Sequence, residues 1–312
     1  MKTIAVIIPV YNEEENLGTL YERLIKVFSS ISEAKFKVLF VDDHSSDRTP
    51  EILSSLAAKD SRVHWLRLSR NSGSHIACTA GLDHCDADAI VIMAADLQDP
   101  PELISSLLAK HAEGNQLVWA VRQEREGESL FTRKSSELYN WLMNRLTELK
   151  LPPKGADVLL ADRVVVDAFR QMPERNLALF PAFAWLGFRQ ASVPYVKQSR
   201  HAGRSKWTIR KKIILAIDSF VGFSYLPLRF MSYLGFIVAT VGTLWALAIL
   251  IMRLCGITQA VGYASMMITI LILGGLQMLM LGVLGEYLWR ALEESRRRPR
   301  YFIEQSSQNK KA

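Results

Sequence analysis

Two charge-free apolar runs constrain this chain more than any other feature. Phe230–Met252 holds 23 residues without a charged side chain, and Leu254–Gly285 holds 32. Each exceeds the roughly 20 residues that a helix needs to cross the hydrocarbon of a bilayer. A backbone in lipid must satisfy its own hydrogen bonds, so the runs are predicted to be a pair of transmembrane helices. The competing arrangement is a helical hairpin buried inside a soluble protein. Between the runs, Gly256 and Gly262 suit a turn. Basic clusters flank the pair on its outer sides: Arg200, Arg204, Lys206, Arg210, Lys211 and Lys212 before it, and Arg296, Arg297, Arg298 and Arg300 after it. That bias predicts a multi-pass membrane protein with both termini in the cytoplasm. The net charge is +7. Basic runs placed beside apolar stretches point to an anionic membrane surface or a phosphate-bearing ligand rather than to nucleic acid. Trp207–Leu228 mixes basic and large apolar residues, as helices lying in the membrane interface do.

The first part of the chain has a different rhythm. Residues 4–10, 36–42, 63–68, 89–94 and 116–121 read as short apolar strands. Segments near 14–30, 48–59, 74–84 and 101–112 carry helical periodicity. Strands alternating with helices predict an α/β fold with a doubly wound, mostly parallel sheet and right-handed connections. Trp185–Val196 is expected to add a short helix and a strand. The resulting division is an α/β domain over 1–199, basic amphipathic juxtamembrane helices over 200–228, a two-helix transmembrane hairpin over 229–289 and a basic tail over 290–312. The three cysteines, Cys78, Cys85 and Cys255, have neither zinc spacing nor a disulfide framework, which suits a reducing compartment.

The chemistry is expected at Val91–Glu102. A buried strand there stops at Asp96, Gln98 and Asp99, and Pro100-Pro101 cannot extend it. Open α/β sheets bind ligands at the carboxyl ends of their strands. Hard oxygen ligands in that place suit Mg²⁺ or Mn²⁺ carrying a diphosphate, although a capped strand-to-helix turn would use the same residues. The first strand ends at Pro9-Val10-Tyr11-Asn12-Glu13 and the second at Asp42-Asp43, on the same edge. Asp42 has no local structural role visible in the sequence, whereas Asp47, two residues before Thr49-Pro50, reads as a helix cap. In Arg70-Asn71-Ser72-Gly73-Ser74 the glycine suits a turn whose N–H groups could face an anion. His75 beside it reads as structural. Residues 122–145 are basic, with Arg122, Arg125, Arg133, Lys134 and Arg145, and serve either as a solvated helix face or as a phosphate cradle. Asp157 follows a loop and leads into an apolar run, where an ordinary turn residue would also stand.

Several strings now combine: IIPVYNEEENL, VDDHSSDRT, RNSGS, ADLQDPPELI, the basic segment around Arg125 and Arg133, GADVLLADR, and HAGRSKW ahead of the two apolar runs. Together they resemble the GT-A fold polyprenyl-phosphate glycosyltransferases, which include dolichol-phosphate mannose synthases and bacterial undecaprenyl-phosphate sugar transferases. The resemblance runs from residue 4 to about 298. It implies inverting transfer of a sugar from a nucleotide sugar, with UDP-glucose the expected donor, to the phosphate of a membrane polyprenol such as undecaprenyl phosphate. Carried over by position, Pro9, Tyr11, Glu13 and Asp42 would hold the nucleoside. Asp96 and Gln98 would hold Mg²⁺ or Mn²⁺. Asp157 occupies the position proposed for the base. Arg122, Arg133, Ser136, Arg204 and Lys206 would contact phosphate groups. The partners implied are the donor, the polyprenyl phosphate and membrane lipid, with no nucleic acid. Two helices make little membrane core, which leaves room for a homo-oligomer.

One departure bears on the metal. The family pattern Asp-x-Asp-x-Gln begins here with Ala94, whose methyl group cannot ligate an ion. Mg²⁺ commonly takes one or two carboxylates plus substrate phosphate and water, so a working but weaker metal site is expected. A phosphate nucleophile has a second pKa of about 6 and is mostly ionised at neutral pH, so proton removal by Asp157 matters less than in transfer to an alcohol. Two other readings compete. A processive polysaccharide synthase of the same fold would carry more membrane helices and a Q-x-x-R-W string, neither of which is present. A non-enzymatic lipid-binding scaffold that has lost its metal site is supported by Ala94 alone.

Overall fold

The computed structural model describes residues 1–125, 141, 143–145, 147, 151–152, 155–172, 174, 178–198, 224, 226–255 and 262–307. The chain divides into two compact units. One comprises Met1–Ser219 with Pro299–Ala312, the other Phe220–Arg298.

The first unit alternates strands and helices: β1 (Lys2–Val10), α1 (Leu17–Ser30), β2 (Ala34–Asp42), α2 (Thr49–Lys59), β3 (Val63–Leu68), α3 (Ser74–His84), β4 (Ala89–Ile92), α4 (Leu103–Ala112) and β5 (Leu117–Arg125). Then come β6 (Ala156–Asp162), α5 (Arg163–Arg170), α6 (Leu179–Trp185) and β7 (Gln190–Lys197). The strands form one sheet in the order β7-β5-β6-β4-β1-β2-β3-β8, where β8 is Ile303–Ser306. Pairs β1–β2, β1–β4, β2–β3 and β5–β7 are parallel. Pairs β4–β6, β5–β6 and β3–β8 are antiparallel.

The core explains the register. β1 is central, and Ile4 to Ile8 are buried on both faces, which is why the run reads as continuously apolar. α1 buries Leu17, Leu20, Leu24, Val27 and Phe28, one stripe at helical spacing. Phe28 stacks on Phe36 with ring centroids 4.4 Å apart. α3 approaches β1 closely: a Cβ on Gly81 would lie 2.5 Å from Ile7 Cγ2.

Three details differ from the expected elements. β4 stops at Ile92, although Met93 N–H still donates to Ile7 O. The helix expected within 185–196 lies upstream at Leu179–Trp185, where Leu179, Ala182 and Phe183 are buried, and Gly187 (φ 72°) turns the chain toward β7. Within 290–312, read as a basic tail, the last apolar helix continues to Ser295 and Ile303–Ser306 forms β8, which belongs to the sheet.

The second unit contains α7 (Leu226–Leu254) and α8 (Tyr263–Ser295). Their apolar windows, Leu228–Met252 and Ile268–Ser295, run 25 and 28 residues and are not buried within the protein. Phe236, Trp245, Ile272 and Met278 are all exposed. A helical hairpin buried in a soluble core would cover such side chains, so the pair fits a lipid environment instead. Gly235 of α7 lets Met280 of α8 approach, its Cε standing 3.3 Å from where a Cβ would be. The juxtamembrane helices expected over 200–228 lie largely outside the described residues.

Candidate active site

The carboxyl edge of the sheet is drawn taut. Asn12, His44 and Leu97 follow β1, β2 and β4, and all three have positive φ (53°, 62° and 59°). Among the described non-glycine residues only Arg297 shares this conformation. An asparagine tolerates the left-handed region. A leucine does so only where its surroundings force it. Leu97 is buried between Asp96 and Gln98, so the turn is held in a strained form by packing.

The loops after β1 and β2 interlock. Asn12 N–H donates to Ser45 Oγ (2.9 Å), and Ser46 N–H donates to Asn12 Oδ1 (2.8 Å). Glu13 N–H donates to Thr49 Oγ1 (3.0 Å), while Glu13 Oε2 accepts from Asn16 Nδ2 (2.7 Å). Pro9 and Tyr11 are half-buried at this edge. Asp42 is fully buried, and both its oxygens are engaged. Oδ1 accepts from Ser45 N–H (2.9 Å) and Oδ2 from an Arg67 NH1 donor (2.7 Å). The structural partner that the sequence did not show is therefore Arg67, which the β2–β3 register places opposite Asp42.

The anion facing the Arg70–Ser74 turn is internal. Asp43 accepts the N–H groups of Ser72 (2.6 Å) and Gly73 (2.8 Å), with Gly73 at φ 92°. Those donors are taken by the protein itself. Asp47, expected as the helix cap, lies one residue ahead of the N-cap Arg48, where it accepts from Thr49 N–H (3.0 Å) and Glu14 N–H (3.2 Å). His75 Nδ1 accepts from Leu179 N–H (3.1 Å), which ties α3 to α6 in a structural role.

A second cluster forms where β4, β5 and β7 end and β6 begins. β6 runs antiparallel to β4 and β5, so its first residues lie at the edge where the other two finish. Asp157 is thereby placed near the Asp96 turn. Register pairs Arg122 with Tyr195 across β5 and β7, and Lys197 follows on the same face of β7. Lys197 Nζ lies 2.5 Å from Asp157 Oδ2 and 3.5 Å from Asp99 Oδ1. Arg122 Nε lies 3.3 Å from Asp157 Oδ2. Tyr195 OH donates to Asp99 Oδ1 (2.5 Å), and the buried Asp99 Oδ2 has no hydrogen-bond partner among the described residues. Burial, then the Asp157 carboxylate, push the Asp99 carboxyl up to about 6, against the pull of the Lys197 ammonium and the Tyr195 hydroxyl. Burial and the adjacent Asp99 raise the Tyr195 hydroxyl, which stays a donor. Lys197 is 8% exposed, so this cation belongs to the site and not to the surface.

Of the expected residues, the structure gathers Asp96, Gln98, Asp157 and Arg122 on one side of the edge and Pro9, Tyr11, Glu13 and Asp42 on the other. Arg133, Ser136, Arg204 and Lys206 lie outside the described residues. Among the described residues no three His, Cys, Asp or Glu side chains form a metal cage. The half-buried Asp96, whose Oδ1 accepts from Gln98 N–H (3.2 Å), suits a cation that brings its own oxygen ligands on a substrate. Sequence reasoning missed Lys197 and Tyr195. Their signal was period-2 alternation in β7, whose inward face carries a lysine.

Residues 5–164 match Glycosyl transferase family 2. An uncharacterized glycosyltransferase of Synechocystis is 38% identical over 300 residues, covering 96% of this chain and 94% of the relative. The bactoprenol glucosyl transferase of Shigella phage SfV is 36% identical over 305 residues, covering 98% and 99%. A mannosyltransferase from Pyrobaculum calidifontis, solved in complex with GDP-Man and Mn²⁺, superposes with a TM-score of 0.50 at 17% identity, covering 92% of this chain and 87% of that one. At that identity the likeness concerns the GT-A fold.

Proposed function

The chain belongs to glycosyl transferase family 2, and from that premise we propose that it transfers glucose from UDP-glucose to the phosphate of a membrane polyprenol, with inversion at the anomeric carbon. The observation that carries this reading is the end-to-end likeness to a bactoprenol glucosyl transferase, which takes in the apolar helices as well as the sheet. The same likeness speaks against a polysaccharide synthase and against a scaffold without activity.

The edge of the sheet then divides by chemistry. Pro9, Tyr11 and Glu13 line the nucleoside side, and Asp42 acts from beneath them. A divalent cation, Mg²⁺ or Mn²⁺, held by Asp96 and Gln98 would neutralise the charge that grows on the departing nucleoside diphosphate. Arg122 and, from outside the described residues, Arg133, Ser136, Arg204 and Lys206 gather phosphate oxygens. Asp157 sits between an ammonium and a guanidinium, with Lys197 Nζ 2.5 Å and Arg122 Nε 3.3 Å from its Oδ2. In that setting it orients the acceptor and faces the positive charge developing on the sugar, since the phosphate nucleophile arrives already ionised. The α/β unit and both termini lie in the cytoplasm, the juxtamembrane residues 200–228 meet the lipid headgroups, and the two apolar helices span the inner membrane. Two helices make little membrane core by themselves, which supports a homo-oligomer.

The test is incubation of the purified protein with undecaprenyl phosphate, Mg²⁺ or Mn²⁺ and a panel of nucleotide sugars, with products read by mass spectrometry. Glucosyl phospholipid from UDP-glucose, absent with Asp96→Ala, is the expected result. A product from a different donor would correct the sugar. No product from any donor, in a folded protein that binds nucleotide, would defeat the reading.

A further inference from the structure

The chain returns to the α/β unit after its apolar helices, and the returning strand reaches the nucleoside side of the edge. β8 pairs with β3 through Leu66–Ser306 and Arg67–Gln305. Glu304 on that strand accepts from Arg67 Nε (3.0 Å). The same guanidinium donates through NH1 to Asp42 (2.7 Å) and through NH2 to Ser45 O (3.1 Å). All three of its nitrogens are thus engaged, Nε by β8 and the other two by the end of β2 and the loop that follows it. Because the fork is planar and rigid, moving one contact moves all three. Ser45 in turn supports Asn12, between Tyr11 and Glu13. His44 Nδ1 lies 3.4 Å from the same Glu304 oxygen.

We propose that Glu304 is a positioning residue for the donor nucleoside: through Arg67 it sets Asp42 and the Ser45 loop, so that affinity for a nucleoside diphosphate depends on the strand that follows the apolar helices. This rests on the reading of the β1–β2 edge as the nucleoside side. The strand has anchors of its own. Trp65 N–H donates to Ser307 Oγ (2.8 Å), Ser69 N–H to Phe302 O (2.9 Å) and Tyr301 OH to Asp83 (2.9 Å). Removing the Glu304 charge therefore tests the link to Arg67 and leaves the strand in place.

The experiment measures UDP binding by calorimetry on full-length wild type, Glu304→Gln, Arg67→Lys, the double variant and Ser307→Ala, with steady-state kinetics beside it. Glu304→Gln should weaken UDP and raise the donor KM about fivefold, given the partial exposure of the pair. kcat at saturating donor and the KM for polyprenyl phosphate should stay as in wild type. The same substitution should add little in the Arg67→Lys background, and Ser307→Ala should bind UDP normally. Unchanged UDP affinity in Glu304→Gln overturns the proposal, as does an equal loss in Ser307→Ala, which would mean that strand docking alone matters. A wild type that binds no nucleoside diphosphate would instead defeat the functional reading itself, and this inference with it.

Discussion

At the scale of single residues, the acid at Asp157 has more company than a free base would tolerate. Lys197 at 2.5 Å and Arg122 at 3.3 Å both hold its Oδ2. On the proposed role of Asp157 in orienting the acceptor, Lys197→Met should lower turnover by about 10- to 100-fold, with donor KM little changed, because a misplaced orienting group is costly even when binding survives. Steady-state rates at saturating donor and acceptor check this. Asp157→Asn should also lose most turnover yet keep every limb of the wild-type pH–rate profile. Loss of a limb would show that Asp157 removes a proton. Ala94→Asp restores the carboxylate that the family pattern has, so it should lower the metal concentration giving half-maximal activity, read from Mg²⁺ and Mn²⁺ titrations of the rate. The position of Asp96 and Gln98 at the carboxyl end of β4 was legible because a buried strand there meets a polar turn, whereas Asp157 was singled out by the resemblance. Lys197 was not legible, because its partner lies 40 residues away on a strand whose direction is not written in its own sequence.

At the scale of elements, α1 to α4 and β1 to β5 follow from local periodicity, and the packing between them follows from residue size. α3 can lie against β1 because Gly81 has no side chain. Gly81→Ala would push into the branched Ile7 and should destabilise the fold by about 1–3 kcal/mol, seen as a lower melting temperature. α1 and α2 are joined by Asp60, which accepts from Tyr21 OH (3.0 Å) and from Arg62. The Arg62 hydrogen bonds outweigh burial and pull the Asp60 carboxyl down to about 2 from its ordinary 3.8. A carboxylate whose pKa is lower in the folded state stabilises fully above the unfolded value and loses that contribution as pH falls through the folded value. The stability gap between wild type and Asp60→Asn should therefore be full above pH 4 and vanish near pH 2, as thermal unfolding across that range would reveal.

At the scale of the whole molecule, the cysteines make topology measurable. Burial pushes the Cys78 thiol up to about 12 and the Cys85 thiol up to about 11, whereas Cys255 is exposed at the end of α7. A membrane-impermeant maleimide added to intact cells should label Cys255 alone, and Cys255→Ser should abolish the signal. Labelling only after the cells are opened would place the turn between the helices inside and reverse the proposed orientation. Composition and period by themselves determined the two apolar helices, the alternation of strands and helices, and the polar turn after β4, since each depends on residues close together in the chain. Only the tertiary structure decided that β6 runs antiparallel and brings Asp157 to the edge, that Lys197 faces it, and that Glu304 reaches Arg67 from 237 residues away. Such contacts depend on strand order and direction, which arise when distant segments pack on one sheet, and no local pattern encodes them.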